Sequence, residues 1–292
     1  MIDTTLPPST RDSAVAAAPR RIVRRRPIAP WIIAALLATA MIGVIAALAL
    51  NPRLDWSITG QWLFNPRILK GVWITIALSV LSMLFGIVLG TLIGIARLSH
   101  NGVLRAIAAT YVTIFRSVPA LLQLLLWGNI GLIIQKVQLG VPFTDIRFFE
   151  IDTNDLIAPF SAAVIALALH EAAYVAETVR GGILGVDAGQ GEAGAALGMP
   201  PGYVMRRVLL PQAFRLILPP LGNQFVTLIK ATSLVAVIAG GDVLTEAQNI
   251  AASNYRVIEM LAVATFWYFV LVLAATIGQS FLERAVSKGV RR

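Results

Sequence analysis

Four side chains with polar or ionisable heads, His170, Glu171, Tyr174 and Glu177, interrupt a largely apolar run from Ile157 to Val179. An ionisable group in such a run is costly to desolvate, so it turns toward a protein interior or a watery path, where it binds a solute or carries a proton. At 3.6 residues per turn, positions 170, 174 and 177 share one helix face, and Glu171 stands about 100° from His170. A later apolar run adds Asn223, Gln224 and Thr227 to the candidate path, with Lys230 as a countercharge for an acid on a neighbouring helix. Glu177 and Arg180, three residues apart, read as a structural ion pair near one end of their run. Arg116, Pro119 and Gln123 mark a third polar interruption. Pro119 has no amide hydrogen and biases Val118 away from helical geometry, so a helix should break there.

Catalysis finds no support, because nothing resembles a nucleophile, a base and an orienting group placed together. Gly189, Gly191 and Gly194 satisfy G-x-G-x-x-G, but they follow an apolar helix where a dinucleotide fingerprint follows a strand. The phosphate-binding pattern G-x-x-x-x-G-K-[ST] does not occur, so any ATP-driven step would place the nucleotide on another polypeptide. The chain has no cysteine and two histidines, His100 and His170. Disulfides, thiol catalysis, Cys-ligated zinc and a multi-histidine metal site are thereby set aside.

The elements that must position these residues are set by composition. Of 292 residues, 57% are hydrophobic and 13% charged, the balance of a multispanning membrane protein. The net charge of +9 reads as the excess of Lys and Arg on the inner side of a membrane, not as a nucleic-acid surface. Residues 1–30 form a disordered tail ending in a basic cluster from Arg20 to Arg26. Residues 31–50 make a first span with Trp31 as an interfacial anchor. Ala47-Leu48-Ala49 resembles a signal-peptidase site, so cleavage is the alternative to the favoured retained helix.

A connection with Trp56 and Trp62 then lies along the outer interface, and a second span runs from Gly71 to Ala96. Its Gly86, Gly90 and Gly94 are either a stripe for close helix approach or the ordinary glycine of membrane helices. The third span, to Ile134, contains the break at Pro119. An outer loop follows from Gln135 to Asp155 with Asp145, Glu150, Asp152 and Asp155. Ile157 to Val179 is the fourth span, Gln212 to Ala239 the fifth, Gly240 to Ile258 an outer connection, and Glu259 to Leu282 the sixth. A basic tail occupies 283–292. Seventeen Lys and Arg fall in the segments proposed inside, six in those proposed outside, and Lys230 lies within a span. That bias places both termini and the stretch 180–211 in the cytoplasm.

Within that stretch, Glu192 to Pro211 is a polar, glycine-punctuated island. Asp187 and Gln190 have capping-box spacing, so a helix from Ala188 to Leu197 is expected, ending at Gly198 in the left-handed C′ position. Pro200 and Pro201 block its continuation, and a second helix is expected from Pro201 to Leu210.

The island resembles the EAA loop of permease subunits of binding-protein-dependent ABC importers. Glu192, Ala193, Gly198, Leu210 and Pro211 match it, while Gly194 replaces the usual Ala and Val208 the usual Ile. Arg116-Ser117-Val118-Pro119-Ala120-Leu121-Leu122-Gln123-Leu124, Ala173 to Glu177 with Arg180-Gly181-Gly182, and Leu210 to Arg215 narrow the resemblance to the polar amino acid permeases of the histidine and glutamine type. So do Pro219, Asn223 and Lys230 to Leu234.

The resemblance covers residues 71–282 and implies an all-α polytopic membrane protein. Five of its six spans would form the importer-permease core. It implies a coupling helix seated on a separate ATPase, carried here by Glu192, Ala193, Gly194, Leu197, Gly198 and Pro211. Arg206 and Arg207 would face ATPase acids or lipid headgroups, or serve as ordinary inside charges. It further implies a pair of ABC ATPase subunits holding ATP and Mg, a second permease, identical or homologous, and an extracytoplasmic amino-acid-binding protein. The chain itself would bind no cofactor, metal or nucleic acid, and would reside as a multi-pass subunit in the cell membrane. Glu171 lies outside the family pattern. As a partner for an ammonium or cationic side chain it favours a cationic or neutral amino acid. The alternative function is an ion-coupled secondary transporter using Glu171 or Glu177 as proton carrier, with a membrane scaffold as a third class.

Overall fold

Helix starts are written into the sequence by side chains that accept the first free amide hydrogens. Asp55 accepts from Ser57 N at the head of α2 (Trp56–Leu63), and Asn65 from Arg67 N before α3 (Pro66–Arg97). Asn101 accepts from Val103 N and Leu104 N before α4 (Gly102–Ser117). The computed structural model describes residues 29–140 and 147–287. The basic tail before Ala29, Asp145, and the last basic residues Lys288, Arg291 and Arg292 lie outside the described residues.

The chain forms two units, Met1–Pro52 and Arg53–Arg292. In the first, α1 (Ala29–Ala49) is an apolar helix long enough to cross a membrane. In the second, α3, α7 (Pro159–Leu184), the continuous helix from Pro201 to Ile238, and α12 (Val257–Ser287) have that length and composition as well. A bent pair, α4 and α5 (Ala120–Gly128), supplies the remaining span of the six-span reading, with a 98° bend at the break. Val118, preceding Pro119, is extended at φ −88, ψ 127. The carbonyls left over at this break are met by Gln123, whose Nε2 donates to Phe115 O at 3.0 Å and Val118 O at 2.9 Å.

Buried residues of α3 pack against α7 on one side and against the segments 243–254 and 257–287 on the other. A Cβ at Gly90 would stand 2.6 Å from Ala172 O, and one at Gly94 2.8 Å from Ala176 O. The glycine stripe is therefore a close-approach face, while Leu84, Phe85, Val88 and Leu92 of α3 are exposed.

Three segments depart from expectation. The outer loop holds a hairpin of β1 (Lys136–Gly140) and β2 (Arg147–Asp152), paired Val137 to Ile151 and Gln138 to Glu150, followed by α6 (Thr153–Leu156). The connection after Gly240 is a packed helix, α11 (Val243–Asn254), because Val243, Ala247 and Ile250 form an apolar stripe buried against Ile68, Met260 and Val263.

The island is not two separate helices before a span. α8 (Ala188–Ala196) turns into α9 (Pro201–Val204), which continues through a π segment, Met205–Leu209, straight into α10 (Leu210–Ala231). The π segment has a physical cause in Pro211, which has no amide hydrogen and whose ring crowds the carbonyl four residues back. Widening the turn lets Leu210 N reach Met205 O.

Candidate functional site

Two helices frame the polar cavity. α7 contributes His170, Glu171 and Tyr174, and α10 contributes Asn223, Gln224 and Thr227. These six side chains line one cavity of about 310 Å³, so residues chosen from two distant apolar runs meet in space. α7 is built for this place because Gly86 of α3 leaves room for Glu171, whose Cβ would be 3.0 Å from a Cβ at position 86.

Glu171 is 6% exposed, and its carboxylate makes no hydrogen bond or ion pair among the described residues. A buried carboxylate left without a partner is costly in the absence of a ligand or water. His170 Nδ1 lies 3.1 Å from Gln123 Nε2, so the amide that closes the α4–α5 break also orients the imidazole. The His170 and Tyr174 rings are 5.0 Å apart. Gln224 Nε2 donates to Thr178 Oγ1 at 2.8 Å, tying α10 to α7 beside the cavity.

One turn further along α7, Glu177 accepts from Arg180 Nε and Nη2 at 3.0 and 2.9 Å, the ion pair that their spacing predicts. Arg97 at the end of α3 joins the same carboxylate. Arg97 was not among the site residues expected from the sequence, because no short-range spacing joins residues 97 and 177. Arg116 sits over the Tyr174 ring at 5.3 Å. Lys230 does not neutralise an acid on a neighbouring helix. It is exposed beside another cavity, with Ser233, Thr265 and Tyr268, and pairs with no acid among the described residues.

The buried Asp242 was also missed. It caps α11 through Leu244 N and Thr245 N and accepts from the Tyr268 hydroxyl at 2.8 Å. An Asp immediately before the apolar stripe of Val243, Ala247 and Ile250, in N-cap position, was the available signal.

The α8 turn is closed by its own backbone. Gly198, at φ +71, lets Gly198 N reach Ala195 O at 2.9 Å and Met199 N reach Gly194 O at 3.0 Å, both bonds of a Schellman motif. At the other end, Asp187 accepts from Gly189 N at 2.7 Å. The reciprocal half of the expected capping box is not made. Gln190 Oε1 instead accepts from Gln212 Nε2 at 3.3 Å, which joins α8 to the start of α10. Gly194 is buried against Val204, and a Cβ there would lie 2.7 Å from Val204 Cγ2. Glu192, Ala193, Leu197, Arg206, Arg207 and Pro211 face outward, with Leu197 80% exposed and Arg207 stacked 5.9 Å from the Tyr203 ring.

A family profile described as binding-protein-dependent transport system inner membrane component matches residues 82–288. The chain is 40% identical over 264 residues to the arginine transport system permease protein ArgU of Corynebacterium glutamicum, covering 90% of this chain and 81% of that protein. It is 38% identical over 226 residues to the arginine transport system permease protein ArtQ of Bacillus subtilis, covering 77% and 93%. A solved structure titled "Crystal structure of an amino acid ABC transporter with histidines" aligns with a TM-score of 0.68 at 32% identity. That alignment covers 80% of this chain and 99% of the other.

Proposed function

This chain belongs to the family of inner membrane components of binding-protein-dependent transport systems, and from that premise we propose that it carries a basic amino acid through the cavity around Glu171. It is the permease subunit of an amino acid ABC importer, a transport component driven by a separate ATPase. Family membership displaces the ion-coupled alternative. The observation that carries the substrate reading is the buried carboxylate of Glu171, without a protein partner and facing a polar cavity. A guanidinium or ammonium group entering there would supply the missing charge.

The same reading gives the α8 turn the task of coupling. Glu192 and Leu197 offer a charge and an apolar side chain to an ATPase cleft, while the Schellman closure and the Gln190–Gln212 contact make the turn rigid enough to move α10. The complete assembly comprises two permeases, two ATPase subunits holding ATP and Mg, and an extracytoplasmic binding protein. Both termini of the chain and the α8 turn lie in the cytoplasm.

The test uses the full complex in proteoliposomes with its binding protein. Glu171→Gln should lower arginine uptake and substrate-stimulated ATP hydrolysis at least about tenfold, the scale of one charged hydrogen bond. Unchanged values for both would end the proposed role of Glu171. Glu192→Lys should insert normally but fail to co-purify with the ATPase; normal co-purification and uptake would remove the coupling assignment.

A further inference from the structure

The cavity around Glu171 contains a carboxylate but no fixed cation. Its other side chains are one histidine, whose Nδ1 is taken by Gln123, and four uncharged polar groups. An amino acid carries a carboxylate as well as its cationic groups, and within this cavity that carboxylate would meet dipoles alone.

Tyr174 also borders a second cavity, of about 440 Å³, with Arg97, Arg116, Ser117 and Glu177 in its wall. Here the balance is reversed. Arg97 and Arg180 both pair with Glu177, which leaves no acid for a third guanidinium. Arg116 is that third group. It stacks on Tyr174 at 5.3 Å and forms no ion pair among the described residues.

Its placement is firm, because Arg116 stands in the last turn of α4, where the helix dipole favours a cation, and Gln123 pins the break just beyond it. Along α7, Tyr174 is three residues, or about 4.5 Å of rise, from Glu171.

We propose that Arg116 binds the α-carboxylate of the transported amino acid, across the Tyr174 ring from Glu171. This rests on reading the Glu171 cavity as the substrate path. The guanidinium fork matches a carboxylate with two parallel hydrogen bonds, which a lysine cannot reproduce. Glu171 and Arg116 then read opposite charges of one zwitterion from either side of Tyr174. An amine lacking the carboxylate satisfies Glu171 but leaves Arg116 unpaired.

Calorimetric titration of the purified permease–ATPase complex, without binding protein, tests this with L-arginine and L-argininamide, in which a neutral amide replaces the carboxylate. Wild type should prefer arginine by about 10- to 100-fold, the range for a hydrogen-bonded charge. Arg116→Gln should weaken arginine to the level of argininamide and leave argininamide affinity unchanged. Arg116→Lys should give an intermediate ratio, and it decides the matter if Arg116→Gln does not assemble. Retention of the wild-type ratio in these variants, equal binding of both ligands by wild type, or no arginine binding by wild type overturns the proposal. Glu171→Gln should weaken both ligands together and preserve their ratio. If it leaves both at wild-type affinity while Arg116→Gln abolishes the ratio, the reading of Glu171 fails and the carboxylate site stands.

Discussion

A methyl group at Gly194 would meet Val204 Cγ2 at 2.7 Å and Cγ1 at 3.0 Å, so this departure from the EAA pattern is matched to the side chain it touches. Two effects oppose each other in Gly194→Ala. Alanine gains about 1 kcal/mol of helix propensity, whereas an overpacked contact costs about 1–3 kcal/mol. The contact should win, because Val204 is branched at Cβ, buried, and fixed within a helix. Gly194→Ala should lower substrate-stimulated ATP hydrolysis severalfold without affecting insertion, and adding Val204→Ala should restore it. Failure of the second substitution to rescue the first would show that the α8–α9 contact is not what position 194 controls. This pairing was not legible in the sequence. The glycine was visible as an exception in a helix, but its reason lies ten residues away across a turn.

At the level of elements, α3 and α7 are joined by a face with no room for side chains on one partner. Gly90→Leu places a branched chain where Ala172 O and the Val175 side chain already stand. It should cost about 1–3 kcal/mol or more and lower the melting temperature of the detergent-solubilised protein. Gly43→Leu, at an open position of α1, should leave it unchanged. An equal effect at both positions would refute the close-packing role of the stripe.

The long helices could be read directly because a bilayer demands long apolar runs, and the break at Val118-Pro119 because proline acts locally. The hairpin, α11 and the π segment were hidden for separate reasons. Strand pairing across a polar loop depends on partners apart in sequence. α11 carries its apolar stripe within a polar segment. The π segment follows from continuing a helix through Pro211 where a stop was expected. The six cavity residues were legible because each was a polar exception in an apolar run, and the fold needed only to bring the two runs together.

At the scale of the whole molecule, sidedness depends on one element. α4 has 16 residues, about 24 Å of rise, and α5 leaves it at 98°, so this pair reaches across the bilayer less directly than any other candidate. If the pair crosses, six spans place both termini and the α8 turn on one side. If it dips in and returns, five spans place the N-terminus opposite the C-terminus.

The break favours crossing. Gln123 satisfies both Phe115 O and Val118 O, which removes the cost of free carbonyls at membrane depth, and the hairpin and α6 take up the chain beyond α5 before α7 begins. The absence of cysteine makes this directly measurable, since each introduced thiol is the sole label. Single cysteines at Ser99, before α4, at exposed Phe148 in the hairpin, and at exposed Leu197 on α8 report the three connections. In intact cells a membrane-impermeant maleimide should label Phe148→Cys and spare Ser99→Cys and Leu197→Cys, which should react after permeabilisation. Labelling of Ser99→Cys together with Phe148→Cys in intact cells would make the bent pair re-entrant, and the N-terminus would then face the other side from the α8 turn.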